Sequence, residues 1–168
     1  LRLVNSLSAA EYLTEDHPLL LRDTDLVKLV GTVCETSGDL AELLGIHLRF
    51  ICAMERRICA ASPAALEQLL YHLLSNALKY THTGGKISIS VKTEASKVKI
   101  IVSDTGIGIS PKEQKKLFTS FFRASNAISS GTPGIGLGLL QAKRFAALLK
   151  GDIKVSSVVN QGSEFTLI

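Results

Sequence analysis

The chain has 168 residues, 46% hydrophobic and 20% charged, which is enough apolar material for one well-buried core and argues against wholesale disorder. Its net charge of +4 is scattered, and with 5% aromatics and no tryptophan a base-stacking nucleic-acid surface is a poor fit, so no nucleic-acid partner is expected. No run is long and apolar enough to span a membrane and no signal-peptide pattern opens the chain; Cys34, Cys52 and Cys59 and the 4 histidines show neither disulfide nor metal-ligand spacing.

In chain order, Leu3, Val4, Leu7, Ala10 and Leu13 fall at helical spacing and predict a helix over 1–15, ended by Pro18. The sequence opens at Leu1 and reads as a piece of a longer protein. Residues 19–23 read as a connector. A second amphipathic helix is predicted over 25–44, weakened by Gly31 and Gly38 and closed by Gly45. Residues 46–53 and 57–60 read as strands. Ser62-Pro63 then offers a capping hydroxyl followed by proline at the first helical position. The helix it opens runs to Tyr80, with Leu66, Leu70, Leu73, Leu74 and Ala77 on one face. At roughly 100° per residue, His72, Asn76 and Lys79 form a narrow polar stripe bordering that face.

Thr83-Gly84-Gly85 is a turn. Ile87, Ile89 and Val91 alternate with serines, the mark of a half-buried strand. A short connection leads to a strand over 97–103, which ends at Asp104-Thr105-Gly106-Ile107-Gly108-Ile109. A carboxylate at a strand end can accept from an exocyclic amine, and glycine lets backbone bend and approach a flat ring. Ser110-Pro111 opens a short helix. Residues 124–133 are polar and aperiodic and read as a lid-sized loop. Gly134-Ile135-Gly136-Leu137-Gly138-Leu139 ends it and opens a helix to about Lys150, capped by Gly151. Three glycines before a helix N-terminus can set N–H groups around phosphate oxygens. The spacing fits neither a dinucleotide fingerprint nor a Walker A loop. A last hairpin turns around Asn160 to Gly162.

Taken together, these stretches resemble sensor histidine kinases. The run from His72 through Asn76, Lys79 and Tyr80 to Thr81 is similar to their asparagine box. Asp104-Thr-Gly-Ile-Gly looks like the first glycine box, Phe118 to Arg123 the phenylalanine box, Gly134 to Leu139 the second glycine box, and Gly162-Ser-Glu-Phe165 a terminal element. The resemblance implies the C-terminal catalytic ATP-binding domain of the GHKL superfamily. The implied fold is α+β: a two-layer α/β sandwich with a mixed five-stranded sheet and about three helices on one face. It further implies a division into 1–24, the end of a dimerisation and phosphotransfer helix with its linker, and 25–168, the catalytic domain.

Carried across residue by residue, the resemblance gives Asn76 as the ligand of an Mg²⁺ ion that bridges the ATP phosphates. Lys79 and Arg123 would meet phosphate charge and Tyr80 would pack nearby. Asp104 would accept from adenine, with Gly106, Gly108, Ile109 and Phe118 around the nucleotide. Gly134, Gly136, Leu137, Gly138 and Leu139 would make the hinge and phosphate cradle. His72, Asn76, Lys79 and Arg123 are the residues expected to carry catalysis. Two departures stand out: His72 occupies a position where the family commonly has asparagine, and Ser120 one where it often has arginine. The implied reaction is transfer of the ATP γ-phosphoryl group to a histidine on a dimerisation domain, in a parent that is a homodimer served by a cognate response regulator. The implied setting is cytoplasmic, and the resemblance allows a parent anchored in the cell membrane. The alternative is a degenerate, non-catalytic nucleotide-sensing or scaffold module of the same fold.

Overall fold

The alternation of Ile87, Ile89 and Val91 is realised as the inward face of a nine-residue strand, β4 (Lys86–Glu94), in the interior of the main sheet. The computed structural model describes residues 20–94 and 97–168; the helix predicted over 1–15 lies outside the described residues. Five strands pair in the order β2 (His47–Cys52), β4, β5 (Lys97–Asp104), β7 (Gly162–Leu167) and β6 (Ile153–Val158). The β2–β4 pair is parallel and the rest are antiparallel, so the sheet is mixed. On its outer face one register row reads Arg49, Ser88, Ser103, Glu164, Ser156, a polar strip facing water.

The inner face carries α1 (Leu26–Leu43), α2 (Pro63–Tyr80) and α5 (Gly138–Leu148). Leu69, Leu70, Leu73 and Leu74 of α2 are almost wholly buried among Val30 and Val33 of α1, Phe145 of α5 and the sheet residues Ile87, Ile89 and Val102. This is the predicted α+β two-layer arrangement. The apolar stripe of each helix has one place to go, which is the inner sheet face.

Several local readings change. The predicted connector contains a strand, β1 (Arg22–Asp25), paired antiparallel with β3 (Ile58–Ala61) in a separate two-stranded sheet. Its polar sequence carries no strand period; the partner's backbone supplies the order. Asp25 ends β1 and caps α1, its Oδ1 accepting from the N–H groups of Val27, Lys28 and Arg57. Gly31 and Gly38 do not interrupt α1, which runs unbroken for 18 residues; Gly31 lies against the Phe50 ring. Ser62 caps α2 by accepting from Ala65 N–H, with Pro63 opening the helix. Gly45 closes α1 at φ +67°. At the end of α5 the left-handed residue is Lys150, φ +59°, and Gly151 instead donates its N–H to the Ala146 carbonyl.

Candidate nucleotide site

Asp104 ends β5 only 8% exposed. Its Oδ1 accepts from Gly106 N–H at 2.8 Å. Burial pushes the carboxyl above its ordinary range, partly offset by the N–H groups of Gly106 and Ser163.

The loop that follows is fixed on three sides. Ile107 N–H donates to the Tyr80 carbonyl at the end of α2, and the Ile107 carbonyl accepts from Asn160 N–H in the β6–β7 turn. Ile109 N–H donates to Ser157 Oγ, while Gln114 Nε2 reaches both the Ile109 and Ser157 carbonyls at 2.8 Å. The glycines serve this packing. A Cβ on Gly106 would stand 2.2 Å from the Tyr80 carbonyl oxygen, and one on Gly108, at φ +63°, 1.9 Å from that of Val158. In the described residues these two glycines let backbone approach backbone.

On α2, His72 and Asn76 are one turn apart on one face, and both look toward the start of α5. A Cβ on Gly138 would lie 3.7 Å from Asn76 Oδ1, 3.8 Å from Asn76 Nδ2 and 3.9 Å from His72 Nδ1. Among the described residues neither the Asn76 carboxamide nor His72 Nδ1 makes a hydrogen bond, whereas His72 Nε2 is buried and unpartnered. The imidazole stacks on Phe145, with centroids 6.2 Å apart. Burial first, and the Lys79 charge second, hold the His72 pKa below the ordinary histidine range, so the ring is neutral at pH 7. Lys79 is exposed and Tyr80 half-buried. Asn76 and Tyr80 are four residues apart, roughly 6 Å along the helix, so α2 spans from the Asn76 cluster to the Asp104 loop.

The stretch after Gln114 is more structured than predicted. A one-turn helix, α4 (Ser125–Ser129), follows the short α3 (Pro111–Gln114) and stands inside the predicted loop. Glu113 holds it: Oε1 accepts from the N–H and Oγ of Ser125, and Oε2 from Ser110 Oγ at 2.6 Å. These bonds hold the Glu113 carboxyl down at about 2. Asn126 Nδ2 donates to the carbonyls of Ile107 and Gly108 at 3.2 and 2.8 Å, tying the lid to the Asp104 loop. Neither residue was singled out from the sequence; Ser110-Pro-Lys-Glu113 matches the capping-box spacing and was the available signal.

Phe118 and Phe122 pack against the core, and Lys143 Nζ sits 5.1 Å over the Phe118 ring. Phe121 is 69% exposed at φ +59°. Arg123 donates to the carbonyls of Ala127 and Thr132, so in this structure its guanidinium clasps the lid instead of standing free. Gly136, at φ +78°, abuts the Phe121–Phe122 backbone, while Gly134 has nothing within 4 Å of its Cβ position. Leu137 caps α5 and Leu139 packs on the core. The structure thus brings Tyr80, Asp104, Gly106, Gly108 and Ile109 together at one end, and His72, Asn76 and Gly138 at the other.

Comparison with known proteins agrees with the fold. The histidine kinase-, DNA gyrase B-, and HSP90-like ATPase family matches residues 61–168. The circadian input-output histidine kinase CikA of Synechococcus elongatus is 36% identical over 151 residues, covering 89% of this chain and 20% of that protein. The sensor-like histidine kinase SenX3 of Mycobacterium bovis is 35% identical over 147 residues, covering 88% of this chain and 36% of its own length. This chain therefore spans well under half the length of those relatives. Full-length ShkA, solved in complex with AMPPNP, superposes with a TM-score of 0.82 at 27% identity over 99% of this chain and 34% of its own. From these matches, the chain belongs to the histidine kinase-, DNA gyrase B-, and HSP90-like ATPase family.

Proposed function

We propose that this chain binds Mg-ATP and transfers the γ-phosphoryl group to a histidine on a dimerisation domain, as the catalytic part of a sensor histidine kinase. The observation that carries the reading is the pairing of two half-sites about the last turn of α2, one on the helix and one in the loop bonded to its end. A buried acceptor, Asp104, stands beside a rigid loop, and one turn back an unpartnered carboxamide faces the N-terminus of α5.

Asp104 accepts from the adenine amine. The backbone N–H groups at Gly136 to Leu139 and the α5 dipole receive the phosphates. The donor set fits a hard cation: Asn76 Oδ1 is a neutral oxygen with no protein partner, and Gly138 leaves open the space a Cβ would fill. Mg²⁺ bound there would neutralise phosphate charge and fix the phosphates. Lys79 adds a solvent-facing cation, and neutral His72 lines the same wall without opposing the metal. The acceptor imidazole supplies its own nucleophile; its nitrogen bonds the γ-phosphorus as the β–γ bridging bond breaks, and ADP leaves. Positioning and charge neutralisation then carry most of the rate. The cognate response regulator takes the phosphoryl group in turn. The parent is proposed as a homodimer with this domain in the cytoplasm; among the described residues no helix is long and apolar enough to cross a membrane.

A second reading, a nucleotide-sensing module without transfer, draws support from Arg123, whose guanidinium is engaged by lid carbonyls, and from serine at position 120. The two readings part in one assay. The chain is supplied with a dimerisation domain of a related kinase and radiolabelled ATP. Phosphohistidine that forms with the wild-type chain and is lost in Asn76→Ala supports the kinase. ATP binding without transfer supports the sensor.

A further inference from the structure

The wall that faces Gly138 holds a nitrogen as well as an oxygen. The geometry points to His72 Nδ1 as a second protein ligand, beside Asn76 Oδ1, for the nucleotide-bound cation, so that the site favours a first-row transition cation such as Mn²⁺ over Mg²⁺. This rests on the Mg-ATP reading above and deepens it.

Four observations converge. The two side chains are at i and i+4 on one helix, a spacing that lets two ligands share an ion. Both approach one point at the mouth of α5, within 3.9 Å of the Cβ position of Gly138. Neither Nδ1 nor the carboxamide has a partner among the described residues, while the ring is clamped against Phe145. Lastly, the buried side of the ring and an acceptor on the facing helix are both without a partner. His72 Nε2 and Gln141 Oε1 are both buried and unpartnered. Gln141 lies on α5 between Gly138 and Phe145, the two positions that meet the ring. The two groups are not bonded to each other; turning the Gln141 carboxamide onto an Nε2–H would satisfy both and leave the Nδ1 lone pair facing the site. That is the arrangement in which a histidine ligand is oriented by a carbonyl on its other nitrogen.

The consequence is chemical. Mg²⁺ is a hard ion that prefers oxygen and sheds water reluctantly. Imidazole nitrogen suits first-row transition ions; Mn²⁺ stands lowest in their affinity order and shares the octahedral oxygen shell of Mg²⁺, yet as a transition ion it takes a nitrogen ligand more readily than Mg²⁺ does. A wall of one imidazole and one carboxamide, completed by phosphate oxygens and water, selects for that class.

The test uses the whole chain and AMP-PNP, so that no turnover intervenes. Affinity is measured by calorimetry with Mn²⁺, with Mg²⁺ and in chelator, and the Mn²⁺ complex is examined by pulsed electron paramagnetic resonance for ¹⁴N coupling. The expected result is tighter binding with Mn²⁺ and a directly bonded imidazole nitrogen. His72→Asn should lose the ¹⁴N signal and reduce the Mn²⁺ preference by about tenfold or more. Gln141→Met should weaken the preference while the fold and Mg²⁺-supported binding persist. Wild-type binding with equal Mn²⁺ and Mg²⁺ affinity and no nitrogen coupling would overturn this inference and leave the ATP reading standing. No binding of AMP-PNP under any condition would overturn both.

Discussion

Asp104 is a carboxylate held where its charge is disfavoured. Below the ordinary aspartate range it is protonated both folded and unfolded, and burial costs nothing extra. As pH rises from that range to its raised folded value, the unfolded chain ionises first and stability falls; above it a constant penalty remains. Asp104→Asn is therefore expected to raise the melting temperature at pH 7, since asparagine Oδ1 can still accept from Gly106 N–H. The same change puts a donor, Nδ2, where the second carboxylate oxygen stood, so ATP affinity should collapse. Calorimetry for both melting and binding checks the pair; a stability loss would contradict the burial argument. The glycines divide in the same way. Gly108→Ala, at φ +63° against the Val158 carbonyl, should cost more than about 1 kcal/mol. Gly138→Ala meets only ordinary contacts from Asn76 and His72; it should leave the melting temperature unchanged or slightly raised while lowering nucleotide affinity, because the methyl stands in the cradle. The expectation that Asp104, Gly106, Gly108 and Gly138 serve one candidate site was legible from order and spacing. Why Gly106 and Gly108 are glycine was not, because the atoms that forbid a side chain there come from Tyr80 and Val158, distant in the chain.

At the level of elements, the lid is a clasped structure. Glu113 holds Ser125 and Asn126 holds the Asp104 loop, so α4 is pinned from both sides. Asn126→Ala should speed hydrogen exchange at the amides of 124–134 and leave that of α1 and the sheet unchanged; exchange identical to wild type would reject the pin. The Glu113 clasp has a definite pH range. A carboxyl lowered in the folded state contributes fully above the ordinary glutamate range, progressively less below it, and nothing once pH falls through about 2. Lid protection should thus be flat from pH 8 to pH 5 in the wild type and already reduced at pH 7 in Glu113→Ala. The short α4 was invisible in the sequence for a physical reason. Five residues without apolar period cannot nucleate a helix alone, and its stability comes from Glu113 and Asn126. Strand β1 was hidden likewise, since Arg-Asp-Thr-Asp carries no alternation and takes its conformation from pairing with β3. The long helices and interior strands, by contrast, announce themselves, because their periodicity is the burial pattern itself.

Across the whole molecule, site and core meet at Phe145. Its ring is fully buried beneath α2 and the sheet, yet one face supports His72. Truncating it therefore acts twice. Phe145→Ala should cost about 3–5 kcal/mol through lost burial and the cavity left behind, a fall in melting temperature of roughly 10 °C or more for a domain of this size. It should also free the imidazole and loosen the start of α5 relative to Asn76, so nucleotide affinity should drop well below the transition, where the protein is still folded. Leu66→Ala is the matched control. Leu66 is only 2% exposed but lies ten residues before Asn76, roughly 15 Å along α2, and its loss should cost about 2–5 kcal/mol. If both variants lose stability but only Phe145→Ala loses affinity at low temperature, the α2–α5 contact is what sets the geometry between the Asn76 wall and the phosphate cradle. If affinity falls equally in both, the site depends on the general rigidity of the core, and the phosphate end has no local support of its own.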